Sequence, residues 1–122
     1  MLQGDFYTIS SIQKEDTSTK VMLELDVKHS IFDGHFPGQP VVPGACLLQM
    51  VKEIMQTITG DKLQLQKAHH LKFTALIDPT KNNHLQMVLA HGIYENDTIA
   101  VTATVSYDAV VCFKFNGVFG SK

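Results

Sequence analysis

The sequence predicts an α+β fold in which an antiparallel sheet of about six strands wraps around one central helix. Three observations lead there. Several segments alternate bulky or β-branched residues with polar ones at a period of two, the mark of strands with one buried face. A single stretch repeats apolar residues at three- and four-residue spacing, as an amphipathic helix does. One helix among many strands needs an apolar surface to cover it, and a sheet curled around it is the economical solution.

The first two strands are expected over residues 6–13 and 19–27, where Val21-Met22-Leu23-Glu24-Leu25-Asp26-Val27 shows the alternation, with a polar hairpin turn at 14–18. Closely spaced Gly and Pro in residues 29–39 disfavour a long strand or helix and predict an ordered loop with a short turn at 30–33. Pro43-Gly44 then opens the helix, whose face carries Leu47, Leu48, Val51, Ile54, Met55 and Ile58, and Gly60 is its expected stop. Four further strand segments follow at 62–77, 84–94, 98–107 and 110–119. Asp78-Pro79, Glu95-Asn96-Asp97 and Asp108 separate them as turns.

At 122 residues and 44% hydrophobic content the chain is expected to form a single domain, 1–122. It shows neither an apolar run of membrane-spanning length nor a secretory leader, so a cytoplasmic location is expected, with no membrane partner. Cys46 and Cys112 lack CxxC or metal-ligand spacing and are expected to be reduced and buried. All ten basic side chains are lysines, and the absence of arginine argues against a nucleic-acid partner. The six histidines are scattered rather than set as HExxH, so neither a metal nor another cofactor is expected.

The most specific feature is Gly34-His35-Phe36-Pro37-Gly38-Gln39-Pro40-Val41-Val42-Pro43-Gly44, directly ahead of the apolar helix. It sets one titratable ring, a stiff proline-glycine loop and a helix start within a dozen residues. His-Phe-Pro-Gly-x-Pro-x-x-Pro-Gly resembles the signature of the 3-hydroxyacyl-[acyl-carrier-protein] dehydratases of fatty-acid biosynthesis, which have the hotdog fold. The resemblance implies that fold, a dehydration yielding a trans-2-enoyl thioester, and a homodimer or larger homo-oligomer with sites at the subunit boundary. In that family the histidine works with an acidic residue fourteen positions on, where this chain has Gln49. A weaker likeness covers Lys72-Phe73-Thr74-Ala75-Leu76-Ile77-Asp78-Pro79. Here Thr74 and Ala75 stand where the family has two arginines that help hold the carrier protein or its phosphopantetheine arm, so coenzyme A remains open as the carrier.

Such a dehydratase needs a base for the proton beside the thioester carbonyl, an acid for the departing hydroxyl, and a donor to the enolate-like oxygen. His35 is the expected base, because an imidazole titrates near neutral pH. The family likeness orients its ring through the carbonyl of Val41. Gly44 is the expected oxyanion donor: a helix N-terminus offers unpaired N–H groups, and a residue without a side chain admits a ligand. Gln49 would orient a hydroxyl or water, having no proton to exchange. Phe36, Pro37, Gly38, Val41, Pro43 and Leu48 are expected to contact the substrate, an acyl thioester.

Glu53, one turn beyond Gln49, is either a substitute acid or a solvated or interface residue. His69 and His70 are expected to point to opposite faces of a strand, in ordinary packing. Cys46 is expected to pack rather than react. Two alternatives stay open beside dehydration: a hotdog acyl thioesterase in which Gln49 or Glu53 positions water, and a catalytically impaired acyl-binding or partner subunit.

Overall fold

The computed structural model describes residues 2–32 and 41–121. Among them, strands β1 (Tyr7–Lys14), β2 (Thr19–Leu25), β3 (Leu63–Phe73), β4 (His84–His91), β5 (Thr98–Tyr107) and β6 (Val110–Ser121) accompany a helix α1 (Gly44–Thr59) and a 3-10 turn, Ser30–Phe32. The strands form one antiparallel sheet in the order β1-β2-β4-β5-β6-β3. Strand β3, which follows the helix, therefore pairs with the last strand and lies at the edge opposite β1.

Alternation decides which face is buried. Val21, Leu23 and Leu25 of β2, Leu85, Met87 and Leu89 of β4, and Ile99, Val101, Ala103 and Val105 of β5 turn inward. They join the buried side of α1, formed by Cys46, Leu47, Met50, Val51, Ile54 and Met55, in one continuous core. Burying a side chain of this size contributes about 1.5–3 kcal/mol, so this layer supplies the main driving force for the fold. The helix ends where expected: Gly60 takes φ 78°, and its N–H donates to the Gln56 carbonyl.

The connections use local chemistry. Glu15 N–H donates to Ser18 O at 2.8 Å, closing the β1–β2 turn. Asp108 and Ala109 both hold positive φ, 45° and 65°, between β5 and β6, the requirement of a two-residue hairpin loop. Asn96 and Asp97 do the same between β4 and β5.

Two expectations need correction. The strand expected over 62–77 ends at Phe73, because the chain leaves the edge there. Thr74 still donates its N–H to Cys112 O, and buried Ile77 instead accepts from Val42 N–H at 2.9 Å. Ile77 thus serves docking rather than pairing, while Leu76 beside it stays exposed. Strand β3 also lacks alternation: from Gln66 to Phe73 every residue is exposed, and the register shifts twice, between Leu65 and Lys67 and between Ala68 and His70. His69 and His70 are accordingly both exposed, not packed.

Candidate active site

The start of α1 is tightly constrained. Pro43 is extended at φ −62°, ψ 141° and precedes Gly44, the first helical residue. Its missing N–H costs nothing at this point. Val42 is buried and tied to Ile77, and the first turn closes with Cys46 N–H donating to Pro43 O at 3.0 Å. Gly44 N–H has no hydrogen-bond partner among the described residues, as geometry dictates for the opening residues of a helix. A Cβ on Gly44 would stand 2.5 Å from Cζ and 2.7 Å from Cε1 of Phe73. The Phe73 ring, half exposed and 5.1 Å from the ring of Phe113, roofs the helix start. An N–H without a partner among the described residues, the positive end of a helix and an aromatic cover thus share one spot.

Gln49, half buried, lies on the next turns of the helix. Its Nε2 donates to Glu53 Oε2 at 2.8 Å. Glu53 is fully buried and accepts three more bonds: from Leu2 N–H to Oε2 at 2.8 Å, Gln3 N–H to Oε1 at 2.8 Å and Tyr7 O–H to Oε1 at 3.1 Å. Burial pushes the Glu53 carboxyl up, but the donors from Leu2, Gln49, Gln3 and Tyr7 outweigh it and hold the group below its ordinary value. Tyr7 responds in the opposite sense: burial, the nearby Glu53 charge and the hydrogen bond to it all raise the phenol.

This corrects the reading of Glu53. It is neither a solvated or interface residue nor a usable acid, because a carboxylate held ionised by two donors on each oxygen has no proton to give. The sequence carried one signal for its burial: Glu53 interrupts the apolar face formed by Met50, Val51, Ile54 and Met55. The backbone donors lie about fifty residues earlier, beyond the reach of any local pattern.

Of the other expected site residues, His35, Phe36, Pro37 and Gly38 lie outside the described residues. Val41 and Pro43 are half buried at the approach to the helix, and half-buried Leu48 packs against the core. The described stretch that ends at Phe32 is held by His29. Its Nδ1 accepts from Ile31 N–H at 3.0 Å, which leaves the proton on Nε2, 3.1 Å from Asp5 Oδ2. The His29 ring also meets Phe6 edge-on, and Phe6 in turn contacts Phe32. Sequence reasoning assigned nothing to His29.

Thr74, where the family has arginine, donates its hydroxyl to Val111 O at 2.6 Å and extends the β3–β6 ladder. Cys46 and Cys112 are both buried and unpaired, and burial raises both thiols, which suits packing and disfavours a thiolate nucleophile. A concavity of about 390 Å³ opens beside the start of β1 and the end of β2, lined by residues such as Asp5, Tyr7, Glu24 and Asn83. Gly44 and Gln49 do not line it.

A sheet of this order on a single helix is the hotdog fold. It is shared with a chain of the dehydratase heterocomplex ApeI:P from Xenorhabdus doucetiae, at TM-score 0.76 and 19% identity over 92% of this chain and 96% of that one. A hypothetical thioesterase with coenzyme A from Streptococcus pneumoniae TIGR4 shares it at TM-score 0.67 and 10% identity, over 95% and 85% of the two chains. Residues 11–112 match the ApeI-like family, described as ApeI dehydratase, and the chain belongs to that family. It is also 32% identical over 68 residues to the 3-hydroxyacyl-[acyl-carrier-protein] dehydratase FabZ of Haemophilus influenzae strain PittEE. That match covers 56% of this chain and 45% of the relative, so the chain aligns with just under half of the curated protein's length.

Proposed function

We propose that residues 1–122 act as one domain that dehydrates a 3-hydroxyacyl thioester to the trans-2-enoyl thioester. The observation that carries this reading is the start of α1: a side-chain-free residue whose N–H has no partner among the described residues, six positions after the His-Phe-Pro-Gly motif in sequence, in a member of a dehydratase family. The thioester carbonyl would accept from Gly44 N–H, which with the helix dipole stabilises the negative oxygen that forms when the neighbouring carbon loses its proton. His35 takes that proton from C2. The C2=C3 bond forms as the C3–O bond breaks, and the departing hydroxyl collects the proton back from the His35 imidazolium as water. Gln49 holds the hydroxyl but supplies no proton, so one ring serves as base and then as acid.

The form of strand β3 supports a subunit contact along its edge. An eleven-residue edge strand, exposed along most of its length and bearing Leu71 and Phe73, presents to another strand backbone groups that are unpaired among the described residues. We place a second copy, or a related chain, along this edge, next to Phe73 and Gly44, so that the site is completed at the boundary. Lys72 and Lys114 stand directly opposite one another on β3 and β6, both exposed. Like charges so placed destabilise the ladder unless an anion joins them, and the phosphate of a carrier arm, from acyl carrier protein or coenzyme A, would be such an anion. Two unpaired buried cysteines suit a reducing compartment, the cytoplasm.

The test is product identity. Purified protein given a 3-hydroxyacyl thioester, followed by enoyl absorbance and free thiol together, should form enoyl product, and His35→Ala should abolish it. Thiol release in its place would move the assignment to hydrolysis with Gln49 orienting water. Silence in both assays would make the chain an acyl-binding or partner subunit.

A further inference from the structure

The hydrogen bond from Gln49 to Glu53 fixes more than a contact. An amide carries a donor on one branch and an acceptor on the other, so on its own Gln49 could turn either toward a ligand. The Glu53 oxygens are already engaged by the N–H groups of Leu2 and Gln3 and by the Tyr7 hydroxyl, all donors. A carboxylate so held accepts only, and the amide must therefore face it with its NH₂. The carbonyl oxygen of Gln49 is left with no partner among the described residues, on a side chain that is only half buried.

We infer that Glu53 is a positioning residue: it makes Gln49 an obligate acceptor, so that the site selects an acyl thioester bearing a hydroxyl donor at C3 over one bearing none. The inference rests on the thioester reading above and deepens it. It gives the buried carboxylate a role through Gln49 rather than in proton transfer, and it makes residues 2, 3 and 7 part of the site's framework although they touch no substrate. Once its hydrogen is held by Gln49, the C3 hydroxyl presents its lone pairs outward, the orientation in which it can receive a proton as it leaves.

The experiment uses 3-hydroxyoctanoyl, 3-methoxyoctanoyl and octanoyl pantetheine, bound at equilibrium to full-length protein carrying His35→Ala so that nothing turns over. With Gln49 and Glu53 intact, the hydroxy probe should bind about tenfold more tightly than the methoxy probe, the worth of one hydrogen bond. Gln49→Leu should erase that preference. Glu53→Gln, which can both donate and accept, frees the Gln49 amide to turn and should cut the preference to less than about threefold. The same change should shift the Gln49 side-chain NH₂ signals in ¹⁵N-edited NMR without any ligand, a readout that loss of stability alone would not produce. Should Glu53→Gln fail to fold, Glu53→Asp, one methylene shorter, withdraws the carboxylate from the amide and must give the same loss. Equal binding of hydroxy and methoxy probes, or a preference that survives both Glu53 substitutions, overturns the inference. A native protein that forms no enoyl product while the hydroxyl preference stands would remove the dehydratase reading and leave Glu53's role intact.

Discussion

Replacing Gln49 by glutamate restores the residue type that the dehydratase signature carries at this position, and here it has a cost that the structure allows to be worked out. The new carboxyl would take the place of an amide nitrogen 2.8 Å from Glu53 Oε2, with charge centres about 4 Å apart. Two like charges at about 4 Å repel by about 4 kcal/mol at an effective dielectric of about 20, equivalent to about three pKa units. Glu53 keeps its three other donors, so the proton stays on Glu53's new neighbour, whose folded-state value rises above its unfolded one. A carboxyl raised on folding binds more protons in the native state, so stability must fall as pH climbs through the window between the two values. The Gln49→Glu protein should match the parent at about pH 4, below both values, and lose up to about 4 kcal/mol by about pH 8, read from urea midpoints across that range. Its dehydratase activity should rise by about 10²-fold at pH 6, where the new acid is protonated, and decline above neutrality. Identical pH dependence of stability in the two proteins would refute the reasoning, because it would mean the side chain at 49 escapes Glu53 at no cost.

Two further outcomes test other parts of the molecule. Gly44→Ala sets a methyl 2.5 Å from Cζ of a half-exposed ring that can swing aside; alanine's helix preference of about 1 kcal/mol offsets much of the strain, so the fold should persist. Activity should fall by about 10²-fold as the carbonyl is displaced, and adding Phe73→Ala should not restore it; recovery would show that the glycine makes room for the ring rather than for substrate. Ala109→Gly should stabilise the protein by about 1 kcal/mol, since alanine holds φ 65° in the β5–β6 loop at a cost that glycine lacks. An unchanged or lower Tm in calorimetry would count against strain at that position.

The sequence disclosed elements whose burial is one-sided. Strands β2, β4 and β5 alternate cleanly because each has the core on one face and solvent on the other, and α1 begins at Gly44 and stops at Gly60 where its cap residues demand. Strand β3 was harder, since an edge exposed on both faces has no buried period to read and its two register shifts scramble what remains. Sheet order was likewise hidden: the pairing of β3 with β6 joins segments separated by two other strands, and no local pattern encodes it. In the candidate site, Gly44 and Gln49 were singled out by counting from a motif. The state of Gln49 was not, because the groups that fix it come from residues 2, 3 and 7 by way of Glu53.

Positions 49 and 53 therefore make a single electrostatic choice. Two carboxylates this close on one helix cannot both ionise without a cation between them, and no Lys or Arg is among the groups that bond Glu53. Once the carboxylate at 53 is committed to tying residues 2 and 3 to the helix, position 49 must be neutral, and an amide is the neutral side chain that still donates to Glu53 while offering an acceptor to a ligand. Seen this way, Gln49 is the condition for a buried anion next door rather than simply an acid that was lost. The double substitution Gln49→Glu with Glu53→Gln separates the two accounts. It should remove the pH-dependent loss of stability seen with Gln49→Glu alone, because only one carboxylate remains, while leaving the N-terminal segment with a poorer acceptor. If the double variant keeps the full loss at high pH, the repulsion originates elsewhere and the coupling of 49 to 53 is wrong.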